Sequence, residues 1–119
     1  MEKNKAINKR PSVGVEKALA YMEENIHRTI TLKEVADHVY LNPNYFSALF
    51  REHMDINFSE YLTLKRLELA KKKLVDTNDS ITSISEKVGY QTAKYFTQLF
   101  KKYEGMTPTH YRKQGQKSA

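Results

Sequence analysis

A seven-residue segment occurs twice in this chain with its chemistry preserved. Residues 45–51 read YFSALFR, and residues 95–101, fifty positions later, read YFTQLFK. Upstream positions correspond at an offset of forty-nine. The chain therefore contains a duplication, whose second copy carries one extra residue near Gln91, and its fold must accommodate two equivalent units. The upstream matches pair Leu32, Val35, Ala36 and Val39 with Ile81, Ile84, Ser85 and Val88.

Each copy has the pattern of a short helix, a tight turn and a longer helix. Ala36 and Ser85 are small residues where two steeply crossing helices must come close together, as a helix-turn-helix requires. Gly89 supplies a permissive backbone for the second turn. Tyr40 has the matching place in the first turn and would be strained if that place needs a positive φ. The longer helices end at matched residues that tolerate the left-handed conformation of a helix stop, Asp55 and Gly105.

The whole chain is predicted to be all-α. Apolar residues recur at steps of three and four, and no hairpin dipeptide such as Asn-Gly occurs. The predicted class is therefore seven helices forming two helix-turn-helix subdomains joined by a long central helix. Capping residues mark the seven helix starts, near Ser12, Thr31, Asn42, Asn57, Ser80, Thr92 and Thr107.

Composition and periodicity also set the expected boundaries. Residues 1–10 are polar and basic and have no period, so a flexible tail or linker remnant is expected there. Residues 11–113 are expected to form one domain. Within it, the first helix-turn-helix covers about 31–54, the linking helix about 58–76 and the second helix-turn-helix about 81–104. The seventh helix is predicted to end near Tyr111, and residues 114–119 to form a flexible tail.

The phenylalanines of the repeat are predicted to be core, which leaves the opposite face of each longer helix outside. None of the eight residues on these two faces is acidic. Asn and Gln can pair with adenine, Lys with guanine, and Ser, Thr and Ala with thymine in the major groove, while Arg51 and Lys101 suit phosphates. An ordinary solvated surface is the alternative. The outward residues are Asn44, Ser47, Ala48 and Arg51 in the first copy and Lys94, Thr97, Gln98 and Lys101 in the second.

The remaining composition narrows the classes of function. A formal net charge of +6 makes a polyanion partner plausible without identifying it. The chain has no cysteine and no apolar run of membrane-spanning length, so we expect a cytoplasmic protein without membrane association. No metal, cofactor or enzymatic activity is expected, because the histidines are dispersed without metal-ligand spacing: His27, His38, His53 and His110.

At this point the chain resembles the AraC/XylS family of bacterial regulators over about residues 15–112. The resemblance is carried by residues 84–90 (ISEKVGY), 95–102 (YFTQLFKK) and 105–112 (GMTPTHYR). Residues 42–50 (NPNYFSALF) and 57–62 (NFSEYL) resemble versions fused to two-component receiver domains. Ala48 and Gln98 lie where many members carry Arg, and Asp55 replaces a usual glycine. Base preference and the geometry of the first turn therefore do not carry over.

The resemblance implies sequence-specific binding to double-stranded DNA, recruitment of RNA polymerase and activation of transcription. A sensory or receiver domain is expected to be missing from this chain, although a free-standing small activator stays open. The implied base contacts come from Asn44, Ser47, Ala48, Ala93, Lys94, Tyr95 and Gln98, and Thr97 joins them from the helix projection. The predicted phosphate contacts come from Thr31, Arg51, Thr92, Lys101 and Arg112.

The predicted linking helix also sets an expectation for the DNA site. At 1.5 Å per residue it spans about 28 Å, close to the roughly 34 Å between successive major-groove segments on one face of B-DNA. One chain is then expected to read two adjacent grooves, and the half-sites should differ because the outward residues differ. A helical protein-binding adaptor without DNA affinity is the competing hypothesis.

Overall fold

The computed structural model describes residues 12–118, with side chains to residue 116, and the regular elements within that range are all helices. Seven are present, which confirms the all-α prediction. The predicted tail at residues 1–10 lies outside the described residues. We number the helices α1 (Val13–Glu24), α2 (Leu32–His38), α3 (Pro43–Met54), α4 (Phe58–Asp76), α5 (Ile81–Lys87), α6 (Ala93–Glu104) and α7 (Pro108–Ser118).

The helices form two compact units. Unit 1 comprises the described residues up to Asn25 together with Ile30–Leu62, and unit 2 comprises Ile26–Thr29 together with the chain from Thr63 onward. The first helix-turn-helix, α2 and α3, lies in unit 1, and the second, α5 and α6, lies in unit 2. The long helix α4 begins in unit 1 and continues into unit 2. Among the described residues, none of the helices combines the length and hydrophobicity that crossing a bilayer requires.

The aromatic core has the same geometry in both units. Phe46 and Phe50 are fully buried, with ring centroids 5.8 Å apart and an interplanar angle of 57°. Phe96 and Phe100 are also fully buried, at 5.7 Å and 57°. The second ring of each pair then meets a tyrosine edge-on at 73°, Tyr61 in unit 1 and Tyr111 in unit 2. The repeat in the sequence is therefore a repeat in three dimensions.

The turns between the paired helices are Schellman motifs, in which one residue past the helix end must be left-handed. In unit 1 the Leu41 amide donates to the Ala36 carbonyl at 2.9 Å, and Tyr40 has φ +59°. In unit 2 the Tyr90 amide donates to the Ser85 carbonyl, also at 2.9 Å, and Gly89 has φ +95°.

The positive φ at Tyr40 confirms the strain anticipated from the sequence. A non-glycine residue in this region costs roughly 1–2 kcal/mol. The longer helices α3 and α6 also stop in the left-handed region as predicted, at Asp55 with φ +62° and at Gly105 with φ +80°.

The two turns nevertheless differ in the space around the left-handed residue. The Tyr40 side chain is 93% exposed. A Cβ on Gly89 would lie 2.4 Å from the Ile26 carbonyl oxygen and 2.8 Å from the Arg66 guanidinium, distances too short for any side chain. Glycine is therefore required in the second turn, and it is merely favourable in the first.

The seventh helix is longer than the sequence indicated, and the prediction of a tail beginning at residue 114 is wrong for 114–118, which belong to α7. The reason is close packing on the end of α4. Gly115 lies where a Cβ would come within 2.5 Å of a Val75 methyl group, and the Gln116 amide lies 3.5 Å from the Leu74 and Thr77 carbonyl oxygens. Because small and polar residues make these contacts, the sequence has no apolar period there that would predict a helix.

Opposite effects are expected from exchanging the residues of the two turns. Tyr40→Gly should raise the free energy of unfolding by about 0.5–1 kcal/mol, because the gain from relieving left-handed strain exceeds the entropy cost of glycine. Gly89→Ala should lower it by more than about 2 kcal/mol, because overpacking adds to the strain. Urea denaturation of both variants measures the two changes. Destabilisation by Tyr40→Gly would contradict a strained first turn.

Candidate nucleic-acid interface

The outward face of α3 begins at a well-capped helix start. The Asn42 side-chain oxygen accepts hydrogen bonds from the amides of Asn44 at 2.8 Å and Tyr45 at 3.2 Å, and Pro43 occupies the first turn. Burial of the two phenylalanines at positions four apart then turns the remaining positions to solvent. Of the four outward residues predicted for this helix, Asn44, Ala48 and Arg51 are exposed and Ser47 is half-buried.

The outward face of α6 follows the same plan. The Thr92 hydroxyl oxygen accepts a hydrogen bond from the Tyr95 amide at 3.1 Å and so caps the helix. The predicted residues Ala93 and Thr97 are half-buried at the margin of the face. The rest are exposed: Lys94, Tyr95, Gln98 and Lys101.

The predicted phosphate contacts Thr31 and Thr92 are both exposed residues that cap helices. The Thr31 hydroxyl oxygen accepts a hydrogen bond from the Glu34 amide at 3.1 Å. A hydroxyl that accepts a hydrogen bond keeps its own O–H available as a donor. Each threonine at a helix start can therefore serve as a cap and still donate to a phosphate oxygen.

Two features of these faces were not predicted from the sequence, namely the exposure of Tyr45, whose counterpart Tyr95 was among the implied base contacts, and the charges one position beyond Arg51 and Lys101. Tyr45 is 58% exposed, and its counterpart Tyr95 is 55% exposed. One position beyond Arg51 and Lys101, the exposed residue is Glu52 in α3 and Lys102 in α6. The helical projection stopped at the earlier position, so this charge difference was missed. The signal was present in the alignment of the two copies.

The N-terminal turn of α6 is supported from below by aromatic and cationic contacts. Tyr90 lies edge-on to Tyr95, with ring centroids 5.8 Å apart. The Arg66 guanidinium lies over the Tyr90 ring, 5.4 Å from its centroid, and donates a hydrogen bond to the Arg28 carbonyl. Burial lowers the pKa of Arg66 and raises the pKa of Tyr90. Arg66 thus holds Tyr90 in place, and Tyr90 in turn packs against Tyr95. Contacts between residues so far apart in the chain left no pattern in the sequence.

Arg112 occupies a different environment from the one the sequence indicated. Its Nε donates to the Leu74 carbonyl at 2.9 Å, and its Nη2 donates to the Thr77 carbonyl at 3.2 Å. These are the free carbonyl groups at the end of α4, where a cation also meets the negative end of the helix dipole. The structure therefore gives Arg112 a helix-capping role, and its contact with phosphate stays a prediction.

His38 and His53 make contacts within the protein. The His38 ring stacks on Tyr21 with centroids 4.0 Å apart, and His53 Nδ1 lies 3.1 Å from the Leu49 carbonyl oxygen. Within residues 12–118, no group of three or more histidine, cysteine or acidic side chains is arranged to hold a metal ion. The outward faces of α3 and α6 themselves offer amide, hydroxyl, amino and guanidinium groups for hydrogen bonds and charge interactions.

The capping role of Arg112 makes a measurable distinction. Arg112→Met should lower the free energy of unfolding by roughly 1.5–3 kcal/mol, because it removes charge-assisted hydrogen bonds to the end of α4. It should leave the salt dependence of any polyanion binding unchanged. Thermal denaturation and a salt titration with duplex DNA measure the two quantities. A salt slope reduced by about 0.9, with unaltered stability, would instead restore the phosphate contact.

Residues 35–114 match the protein family described as a helix-turn-helix domain. Among curated proteins, the uncharacterized HTH-type transcriptional regulator YtdP of Bacillus subtilis is 42% identical over 85 residues, which make up 71% of this chain and 11% of YtdP. This chain spans between 11% and 37% of the length of several such relatives. It is therefore similar to one part of larger regulators.

Two solved structures have the same fold at substantial sequence identity. The C-terminal domain of the two-component response regulator yesN from Fusobacterium nucleatum is 34% identical with a TM-score of 0.81, covering 85% of this chain and 99% of that one. The C-terminal domain of AraT, a response regulator from Geobacillus stearothermophilus, is 35% identical with a TM-score of 0.85, covering 88% of each chain.

Proposed function

Because the chain belongs to the AraC-type helix-turn-helix family of transcription regulators, we propose that it binds double-stranded DNA sequence-specifically and so regulates bacterial transcription. The observation that carries this proposal is the matched pair of outward faces on α3 and α6. Both faces are polar, and both project from helices that are capped at the start and anchored by two buried phenylalanines. We call α3 and α6 the recognition helices, each entering its own major-groove segment.

The side chains divide by reach and chemistry. Residues near the start of each recognition helix are assigned to base edges, since that end enters the groove first in helix-turn-helix proteins. Arg51 and Lys101, two turns further on, are assigned to phosphates together with the exposed caps Thr31 and Thr92. The proposed base contacts are Asn44, Ser47 and Ala48 in α3 and Ala93, Lys94, Tyr95, Thr97 and Gln98 in α6.

The two recognition helices should read different sequences. Tyr95 and its counterpart Tyr45 are identical, but three other matched pairs differ in the alignment of the copies: Asn44 and Lys94, Ser47 and Thr97, and Ala48 and Gln98. A methyl group favours thymine, whereas a glutamine amide pairs with adenine. An asymmetric operator is therefore expected, read in adjacent major-groove segments, in contrast to the palindrome that a symmetric dimer prefers.

The rest of the functional assignment concerns the larger protein. We propose that the chain is the output part of a regulator with a sensory or receiver domain, as the solved relatives from response regulators suggest. We also propose that this regulator activates transcription through contact with RNA polymerase. It is expected to act in the bacterial cytoplasm and to have no catalytic activity.

Binding to duplex DNA should depend steeply on salt. Each phosphate that a cationic side chain neutralises releases counterions, so log K should fall with log salt by about 0.9 per contact. Fluorescence anisotropy with a labelled duplex, titrated between about 50 and 200 mM salt, measures this slope. The absence of duplex binding at the lowest salt would favour a protein-binding adaptor, for which partner binding should be insensitive to salt.

Gln98 provides the sharpest test of base reading. Gln98→Ala should cost about 1–3 kcal/mol on the preferred site and little on random duplex, because a base contact confers discrimination and a phosphate contact does not. The preferred site comes from selection among random duplexes followed by sequencing. Gln114→Ala, an exposed glutamine on α7, is the matched control. Equal losses on both duplexes would remove Gln98 from the base-reading group.

A further inference from the structure

The two units of the fold differ strongly in charge. Among the described residues, unit 1 contains three Lys and Arg against eight Asp and Glu, a formal net charge of −5. Unit 2 contains thirteen against five, a formal net charge of +8. The duplication has therefore preserved the geometry of the units while their electrostatics have diverged.

The same difference is present on the recognition helices themselves. Arg51 and Glu52 are adjacent exposed residues on α3, so their charges cancel. The outward side of α6 carries three exposed cations, Lys94, Lys101 and Lys102. Glu52 lies four residues after the proposed base contact Ala48 and so shares its side of the helix. Within the described part of the chain, Glu52 has no ion-pair partner that would neutralise it.

We propose that the second recognition helix supplies most of the electrostatic affinity for DNA, and that Glu52 limits the affinity of the first. This rests on the proposed function and names its division between the two helices. A carboxylate near the phosphate backbone is repelled by it and neutralises no phosphate, so it releases no counterion from the DNA. The lysines of α6 neutralise phosphates and so release counterions on binding.

A consequence for target recognition follows from this division. The second unit binds first and holds the chain on the duplex, which gives the first recognition helix a high effective concentration at its own half-site. With little electrostatic affinity of its own, α3 stays in the groove only when its base contacts are satisfied. The first half-site therefore discriminates between targets, while the second unit provides the affinity.

Charge reversal at Glu52 tests the assignment directly. Glu52→Lys should tighten duplex binding about fivefold to tenfold near 0.1 M salt and steepen the salt slope by about 0.9, as one added phosphate contact does. Glu52→Gln should give part of the gain in affinity. The matched control is Glu24→Lys on α1, an exposed residue outside the recognition helices, which changes the net charge of the chain equally.

The reciprocal variant tests the second helix. Lys102→Glu places next to Lys101 the opposite charge that Glu52 places next to Arg51 in α3, and it should weaken duplex binding by a similar factor and reduce the salt slope. Both positions are exposed near helix ends, and melting temperatures measured in parallel verify that each variant is folded. The proposal is overturned if folded Glu52→Lys changes affinity and slope no more than Glu24→Lys does.

The half-site roles are tested on three duplexes, one with the full selected site and two with either half-site replaced by random sequence. Replacing the half-site of α3 should cost more affinity than replacing that of α6, because electrostatic affinity does not depend on sequence. Glu52→Lys should raise binding to the duplex whose α3 half-site is random. Equal losses would overturn the division of affinity. Failure of the wild-type chain to bind any duplex would instead overturn the proposed function.

Discussion

The orientation of each recognition helix depends on burying two phenylalanines spaced four residues apart. Side chains at that spacing lie on one side of a helix, so burial of both fixes the rotation of the helix about its axis. Phe46 and Phe50 do this in α3, and Phe96 and Phe100 do it in α6, with almost identical ring geometry. The positions that face away are then determined. The polar residues there can vary between the copies without disturbing the core.

The turn that precedes each recognition helix imposes a second constraint, and the two copies satisfy it differently. Both turns need one left-handed residue to close the Schellman hydrogen bonds. In unit 2, Gly89 lies against the Ile26 carbonyl and the Arg66 guanidinium, so a side chain has no space. In unit 1, Tyr40 projects into solvent. The same backbone geometry therefore requires glycine for steric reasons in unit 2, whereas in unit 1 a tyrosine adopts it at the cost of conformational strain.

Local features of the fold were predictable from the sequence, and long-range contacts were not. Helix caps, the buried phenylalanine face and the left-handed residues follow from residue type and spacing over a few positions. The environment of Arg112 depends on carbonyls 38 and 35 residues away, and the extension of α7 depends on Gly115 packing against Val75. Arg66 likewise reaches the carbonyl of Arg28, 38 residues upstream. No local pattern encodes such pairings. For the proposed DNA contacts, the sequence predicted which residues face outward, but it did not predict which base or phosphate each of them meets.

The divergence in charge between the units follows from where stability resides. Core residues determine the fold, because substituting them changes the free energy of unfolding by about 2–5 kcal/mol. Substitutions of exposed residues typically change it by less than about 0.5 kcal/mol. A duplicated fold can therefore keep both frameworks intact while lysines accumulate on one copy and carboxylates on the other. The formal net charge of +6 averages over this difference. It makes a polyanion partner plausible, whereas the distribution of charge over the two units is what supports the proposal that the second recognition helix supplies most of the electrostatic affinity.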